Sequence, residues 1–182
     1  MTKSAQTIVD LWFSDEARPL WFNSTPEFDT QLKQELEEIY LAAKNDQLNG
    51  WQDDAVGALA LVILFDQIPL NIFRNQNQAF ATEARARQVA QQAIDMGFDR
   101  GLPKEQKMFF YLPFMHSEDP GDQETSVALF AQAEMPENVR FAIHHRDIIK
   151  RFGRFPHRNS VLERESTQEE IEYLNSDEAF RG

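Results

Sequence analysis

The chain has 182 residues, 42% hydrophobic and 12% aromatic, which is enough to bury the core of one globular domain and too apolar for intrinsic disorder. It contains no cysteine, which excludes disulfides, thiolate metal sites and a cysteine nucleophile. The formal net charge of -12 argues against general nucleic-acid binding, since that needs a basic surface to displace counterions.

The sequence indicates a cytoplasmic protein. Residues 1–13 carry Lys3 but no continuous apolar stretch followed by small residues, so we do not expect a secretory signal. The longest uncharged apolar run, residues 55–65, has 11 residues, whereas a membrane-spanning helix needs about 20. We therefore expect no contact with a membrane.

Apolar residues recur at helical spacing along nearly the whole chain, without an alternating strand pattern or a clear internal repeat. The predicted helices cover residues 8–13, 26–44, 53–66, 79–96, 104–115, 123–133, 136–152 and 167–174. Pro69 is expected to end the helix of residues 53–66, and Pro113 to interrupt a later one. Residues 53–66 are apolar on every side, which predicts a helix in the middle of the domain. The predicted fold is all-α, a single domain over residues 1–182 built as a bundle or stack of antiparallel helix pairs.

Residues 140–158 form a basic island in this acidic chain. They contain six arginine or lysine residues, one acidic residue and three of the four histidines. In the helix that carries the first part, the periodicity turns Phe141 and His145 toward the core and leaves His144 on a polar ridge. A histidine facing the core needs a hydrogen-bond partner, so His145 is either a satisfied core residue or part of a site.

Beyond the helix, the basic island continues through Arg151, Arg154, His157, Arg158 and Asn159. The intervening Phe, Gly and Pro residues would hold the loop and let the guanidinium groups project with little freedom. Such an arrangement suits a carboxylate or phosphate ligand. Alternatively, the arginines pair with internal acids such as Asp66 or Glu118 and clamp the domain. Both interpretations stay open.

Asp66 belongs to a second motif. It lies at the carboxyl end of the apolar helix, where the helix dipole disfavours an anion. A nearby cation must therefore compensate the carboxylate, most simply Arg74 or an arginine of the basic island. A buried structural pair and a ligand contact both fit this position.

His116 and Glu118 form a third motif, two residues apart in a predicted turn. They could act as general base and orienting acid, or as two metal ligands together with His145 and His157. The spacing differs from the His-Glu-x-x-His helix that places two ligands on one face. A phosphate-binding glycine loop, a nucleophile elbow and a dinucleotide fingerprint are absent from the sequence.

These three motifs together resemble the bacterial family called domain of unknown function 924. The similar segments are residues 65–74, residues 111–118, and residues 145–159 with the specific string Arg-Phe-Gly-Arg-Phe-Pro-His-Arg-Asn. Residues 12–13 and 166–170 match as well, so the resemblance covers nearly the whole chain. It implies a helical fold similar to tetratricopeptide-repeat domains, no established activity, and His145 rather than His144 as the motif histidine.

The chain departs from the family pattern at two positions. The family usually has arginine where this chain has Leu70, so a phosphate or carboxylate contact from position 70 is absent. It usually has glycine where this chain has Glu163. The turn after Leu162 is therefore expected to differ, which leaves the role of Arg164 in doubt.

Two functions from different classes fit these observations. The leading hypothesis is a pocket for a small anionic metabolite, with enzymatic activity left open. Its candidate catalytic residues are His116, Glu118 and His157, and its candidate ligand-binding residues are Asp66, Arg74, His145, Arg151, Arg154, Arg158 and Asn159. The alternative is a helical-repeat-like module that binds a protein partner and uses the polar motifs as internal clamps. The sequence indicates no particular cofactor.

Overall fold

The computed structural model describes residues 3–181, which are helical with intervening turns and contain no strand. The helices are α1 (Ala5–Trp12), α2 (Pro26–Lys44), α3 (Ala55–Val62), α4 (Ile68–Ile72), α5 (Glu83–Asp95), α6 (Lys104–Met115), α7 (Pro120–Gln132), α8 (Pro136–Phe152) and α9 (Gln168–Leu174). The all-α prediction is confirmed. The chain divides into two compact units, unit 1 with residues 1–74 and 78–113, and unit 2 with residues 75–77 and 114–182. The single-domain assignment stays a prediction.

Unit 1 is built around α3, which packs against α1 and α5, while α2 packs against α4. The continuous helical stretch Ala55–Ile72 has a mean hydropathy of 1.8 and is long and apolar enough to cross a membrane by length and composition alone. However, 83% of it is buried inside the protein, as expected for the core helix of a folded unit. The predicted central position of this segment is confirmed.

Two predicted helix breaks at proline are wrong. Between α3 and α4 the chain continues as a π-helical segment, Ile63–Gln67, in which Ile68 N–H donates to the Ile63 carbonyl. The wider turn places Pro69 in the first turn of α4, where its missing N–H leaves no hydrogen bond unmade. Pro113 likewise lies inside α6, close to its end, where a proline removes a single helical hydrogen bond.

Unit 2 contains the antiparallel pair α7 and α8, followed by an irregular loop and α9. Gly153 ends α8 in the left-handed conformation, with a φ of 72°. Ile148, Ile149, Phe155 and Tyr173 form a buried cluster that joins α8, the loop and α9. The capping box predicted from the sequence is present at the start of α9, with Thr167 and Glu170 as its members.

The predicted core face of α8 is only partly buried. His145 is buried, as expected, but Phe141 has 59% of its surface exposed. The buried cluster joins α8 through Ile148 and Ile149, near its carboxyl end. Periodicity identifies an apolar face but does not reveal how far along the helix the neighbours extend, and Phe141 lies beyond them.

Candidate functional site

Unit 2 brings together two of the three sequence motifs, the His116–Glu118 turn and the basic island. The turn joins α6 to α7, and Gln123 at the start of α7 holds it. The Gln123 side-chain amide donates to the carbonyls of Met115 and Ser117 at 2.8 and 2.6 Å. His116 therefore lies between two backbone groups that one buried side chain fixes.

Glu118 anchors the loop that follows α8. Its Oε1 accepts a hydrogen bond from the Phe155 backbone N–H at 2.8 Å. Its two oxygens also accept from the Arg164 guanidinium, Nη1 to Oε2 at 2.8 Å and Nη2 to Oε1 at 3.0 Å. Burial opposes ionisation of this carboxyl, but the bonds from Arg164 and Phe155 outweigh it and lower the pKa of Glu118. The carboxylate thus holds the loop in place.

Arg154 is paired with a buried acid that the sequence did not single out as a partner. Arg154 Nε donates to Glu170 Oε1 at 2.6 Å, and Nη2 donates to Glu170 Oε2 at 2.8 Å. Nη2 also donates to the Glu165 carbonyl at 2.7 Å. The Glu170 side chain is 2% exposed. The bonds from Arg154, helped by the Thr167 N–H, lower the pKa of Glu170 to about 2.

Asn159 links these two ion pairs into one network. Its Nδ2 donates to Glu170 Oε2 at 3.2 Å and to Ser166 Oγ at 3.0 Å. Its Oδ1 accepts from Arg164 Nε at 3.1 Å. Asn159 thus uses both its amide donor and its amide acceptor. Together with the two ion pairs it forms a network, here called the clamp, that joins the loop after α8 to the start of α9. The members of the clamp are Glu118, Arg154, Asn159, Arg164 and Glu170.

The outer arginine of the basic island is paired at the surface. Arg151 Nε donates to Glu169 Oε1 at 2.8 Å, and both side chains are about half exposed. An open groove of about 310 Å³ lies beside this pair and also includes Arg154 and Glu170 in its lining. Since the groove presents both members of both pairs, its charges compensate each other. The clamp interpretation therefore describes Arg151 and Arg154, with Glu169 and Glu170 as the acids instead of the expected Asp66 or Glu118.

The turn that precedes Arg164 contains a residue in the left-handed conformation. Glu163 occupies the left-handed region with a φ of 54°, the conformation that glycine adopts without strain. Arg164 consequently reaches Glu118, Asn159 and the Phe155 carbonyl, the last at 3.2 Å. Whether this turn differs from that of the family stays a prediction. Arg164, whose role the sequence left in doubt, belongs to the clamp.

His145 and His157 lie side by side with two phenylalanine rings. The His145 ring centroid is 5.6 Å from that of Phe155 and 4.4 Å from that of Phe180. His157 is 5.6 Å from Phe155 and 5.0 Å from Phe180. These four rings form the histidine cluster of unit 2.

Both histidines of this cluster are neutral at physiological pH. Burial lowers the pKa of His145 to about 3, and it lowers the pKa of His157 to about 4 with the help of the nearby Arg158 charge. His145 Nδ1 lies 2.8 Å from the Phe141 carbonyl, which can only accept. The proton of neutral His145 is therefore on Nδ1, and its Nε2 carries a lone pair.

His157 Nδ1 is a nitrogen of this cluster that lacks a hydrogen-bond partner in the described part of the chain. It is buried and has no hydrogen-bond partner among the described residues. A buried polar atom left without a partner costs about 1–3 kcal/mol, and such atoms are rare in folded proteins. The sequence identified His157 as a candidate, but could not show which of its nitrogens lacks a partner.

Arg158 and Asp66 are both buried charged residues. The Arg158 guanidinium carbon lies 4.8 Å from the centroid of the Phe155 ring in unit 2. In unit 1, Asp66 belongs to the π-helical segment and its Oδ2 accepts from Gln67 Nε2 at 2.5 Å. The adjacent Phe65 carbonyl accepts from Thr82 Oγ1 at 2.7 Å.

The sequence suggested Arg74 as the cation that compensates the Asp66 carboxylate, but Arg74 has another partner. It pairs instead with Asp29 of α2, Nε to Oδ2 at 2.7 Å and Nη2 to Oδ1 at 3.2 Å. This bidentate bond raises the pKa of Arg74. Arg74 therefore links α2 to the turn after α4.

The structure does not support a metal site at the predicted residues. Among residues 3–181, no group of three or more histidine, cysteine, aspartate or glutamate side chains is arranged to hold a metal ion. Glu118 is engaged by Arg164, a cation that would compete with a metal. A metal centre formed by His116, Glu118, His145 and His157 stays a prediction without support from the described residues.

Comparison with known proteins agrees with the motifs. Residues 8–178 match the model of the family described as bacterial protein of unknown function (DUF924). The chain belongs to this family. It is also similar to the solved structure of the protein of unknown function ATU0120 from Agrobacterium tumefaciens, with 40% identity and a TM-score of 0.89. That match covers 94% of this chain and 96% of the other. No curated protein matches significantly.

Proposed function

We propose that this DUF924 protein binds a small anionic metabolite at the histidine cluster of unit 2. The observation that carries the proposal is the buried Nδ1 of His157, which lacks a hydrogen-bond partner in the described chain. A ligand that supplies the missing partner would remove the free-energy cost of this atom. Arg151 and Arg154 are engaged in ion pairs, so the residues assigned to the binding site are His157 and His145.

The charges around His157 favour an anion. Arg158 and Arg164 both act to lower the pKa of His157, whereas Glu118 acts to raise it. Arg158 has the largest charge effect on the pKa of His157, and this cation supports an anionic ligand.

The same pKa values favour binding over catalysis. A general base works best when its pKa lies near the working pH. Histidines with a pKa of about 3 and about 4 are weak bases near neutral pH. They are well suited to donate and accept hydrogen bonds as neutral imidazoles, so we propose a binding site and no reaction.

A thermal-shift screen tests the proposal. The parent protein is melted with a panel of carboxylate and phosphate metabolites, and hits are measured by titration calorimetry. A ligand at about 100 times its dissociation constant should stabilise the protein by roughly 2.7 kcal/mol. His157→Phe retains a ring of similar shape without the nitrogens, and Arg140→Ala is the control because Arg140 is exposed on the same helix as His145.

We expect binding in the parent and in Arg140→Ala, and loss of binding in His157→Phe. If no anion of the panel binds the parent at millimolar concentration, the proposal fails. Equal affinity in the parent and in His157→Phe would also overturn it, because the nitrogen that carries the argument would then play no part.

A different observation favours the second candidate function, a protein-interaction module. Phe141 and Ile143 are exposed on α8. An open, mostly apolar depression of about 500 Å³ lies between α7 and α8, lined by Ala131, Met135, Pro136 and Val139 among others. Exposed apolar surface of this kind is common at protein–protein contacts. Under this alternative, Phe141→Ser would abolish capture of a partner and His157→Phe would not.

A further inference from the structure

The Phe180 ring occupies the space between the histidines. Its centroid lies 4.4 Å from that of His145, 5.0 Å from His157 and 6.2 Å from His144. The interplanar angles are 62°, 83° and 76°. All three imidazoles therefore meet Phe180 edge to face, the arrangement that aromatic rings prefer. The slot is shaped for a flat ring.

Residues 175–181, here called the strap, deliver Phe180 to this slot. The strap follows α9 and has no helical structure of its own. Phe180 N–H donates to the Tyr173 hydroxyl at 2.9 Å, and Ser176 Oγ donates to the Tyr173 carbonyl at 2.7 Å. Several strap residues, including Asp177 and Glu178, are exposed. For the strap to leave, the Phe180–Tyr173 hydrogen bond must break and the Phe180 ring must leave the buried cluster against which it packs. The loop that carries Phe155 remains held by Glu118.

We infer that the slot takes an aromatic anion, a flat ring that carries a carboxylate or phosphate group, in place of Phe180. The ring replaces the phenyl group among the imidazoles, and the anionic group accepts a hydrogen bond from His157 Nδ1, the buried atom that lacks a partner among the described residues. This inference rests on the proposed function and names its ligand class. Phe180 is an internal competitor, so the strap must leave before the ligand enters.

The first test needs no ligand. Diethyl pyrocarbonate acylates accessible neutral histidines, and mass spectrometry assigns the modified residue. In Phe180→Ala, we expect acylation of His145 and His157 to be faster than in the parent by about tenfold or more, because the closed population no longer protects them. Arg181→Ala is the matched control, since Arg181 is an exposed neighbour in the strap. Unchanged acylation in Phe180→Ala would overturn the covering role of Phe180.

The second test addresses the ligand class. Benzoate and phenyl phosphate are compared with cyclohexanecarboxylate, acetate and inorganic phosphate by calorimetry. We expect Phe180→Ala to bind at least one aromatic anion about tenfold more tightly than the parent, since no competitor is left to displace. The non-aromatic anions should not gain. Phe180→Leu keeps apolar volume without an aromatic ring, and it should show the same preference even if the alanine variant is unstable.

The outcomes separate the two proposals. If all five anions bind Phe180→Ala with the same affinity, the aromatic class is wrong and the proposed anion site stands. If acylation rises but none of the anions binds any variant, and the wider metabolite panel also fails, the proposed function itself is wrong. Tight binding of benzoate or phenyl phosphate that is lost in the double variant with His157→Phe would support both.

Discussion

Arg154 and Glu170 form a two-point ion pair in which the Glu170 side chain is 2% exposed and the Arg154 side chain is 27% exposed. Two parallel hydrogen bonds of 2.6 and 2.8 Å join them, and the pair connects the loop after α8 to the first turn of α9. Basic residues that look like a ligand site in the sequence thus serve to hold unit 2 together. The two roles differ in what they predict for stability.

Arg154→Ala should lower the free energy of unfolding by about 3 kcal/mol, because it leaves the Glu170 carboxylate buried without its cation. For a chain of this size, that corresponds to a melting temperature lower by roughly 6–12 °C. Arg151→Ala, which breaks the exposed pair with Glu169, should cost less than about 1 kcal/mol. Urea unfolding followed by circular dichroism measures both. Equal effects of the two variants would contradict the clamp.

Glu163→Gly should stabilise the protein. Glu163 has a φ of 54°, and a side chain in this conformation costs about 1–2 kcal/mol. The greater freedom of glycine in the unfolded chain cancels part of the gain, so we expect a net increase of up to about 1 kcal/mol. Gly153→Ala is the reciprocal control, since Gly153 has a φ of 72° and open space for a Cβ atom. It should destabilise by about 1 kcal/mol. A loss of stability in Glu163→Gly would refute the strained turn.

The stability of the protein should rise with pH between about 4 and 6.5. Burial lowers the pKa of His145 to about 3 in the folded protein, whereas an unfolded histidine titrates near 6.5. Below about pH 6.5 the unfolded state binds the extra proton, so folding loses up to about 1.4 kcal/mol per pH unit for this residue. His157, with a pKa of about 4, adds to the slope.

This slope is separable from that of the carboxylates. The pKa of Glu170 is lowered to about 2, so its stabilisation is complete above about pH 4.5 and is lost as the pH falls toward 2. His145→Phe should flatten the curve between about pH 3 and 6.5, and the part above about pH 4.5 lies outside the range in which Glu170 titrates. His144→Phe, at an exposed position, controls for the loss of an imidazole. An unaltered slope in His145→Phe would show that this histidine is not buried neutral.

His157→Phe should be at least as stable as the parent in the absence of ligand. The substitution removes a buried nitrogen that lacks a partner and keeps a ring between Phe155 and Phe180. Removing such an atom is expected to contribute up to about 1 kcal/mol of stability. Functional sites commonly cost stability in this way. Destabilisation by more than about 1 kcal/mol would show that His157 Nδ1 has a structural partner, such as a bound water.

The protein should unfold in one cooperative transition, as the single-domain prediction requires. One of the boundaries between the two compact units falls between Pro113 and Phe114, inside helix α6. A calorimetric enthalpy equal to the van't Hoff enthalpy would support one cooperative domain. Two resolved transitions, or an enthalpy ratio well above one, would assign the units to separate domains.

Local signals determined the helices with little error. Pro26 begins α2, the Thr167–Glu170 capping box begins α9, and Gly153 ends α8, each as the sequence indicated. These signals act within one turn of the backbone, so they are readable without knowledge of the fold. The predictions for Pro69 and Pro113 were wrong because both depend on tertiary packing. Pro69 follows a π-helical turn, and Pro113 lies near the end of α6.

The sequence by itself also determined which residues are special, because an arginine-rich loop and three nearby histidines stand out in an acidic chain. Only the tertiary structure decided their partners. Arg154 meets Glu170, and Arg164 meets Glu118 across 46 positions of the chain. A capping-box glutamate satisfies its helix whether buried or exposed, so nothing local reveals that Glu170 is also a buried counterion. Phe180 reaches the histidines only because α9 turns the chain back onto α8, a contact that no spacing in the sequence encodes.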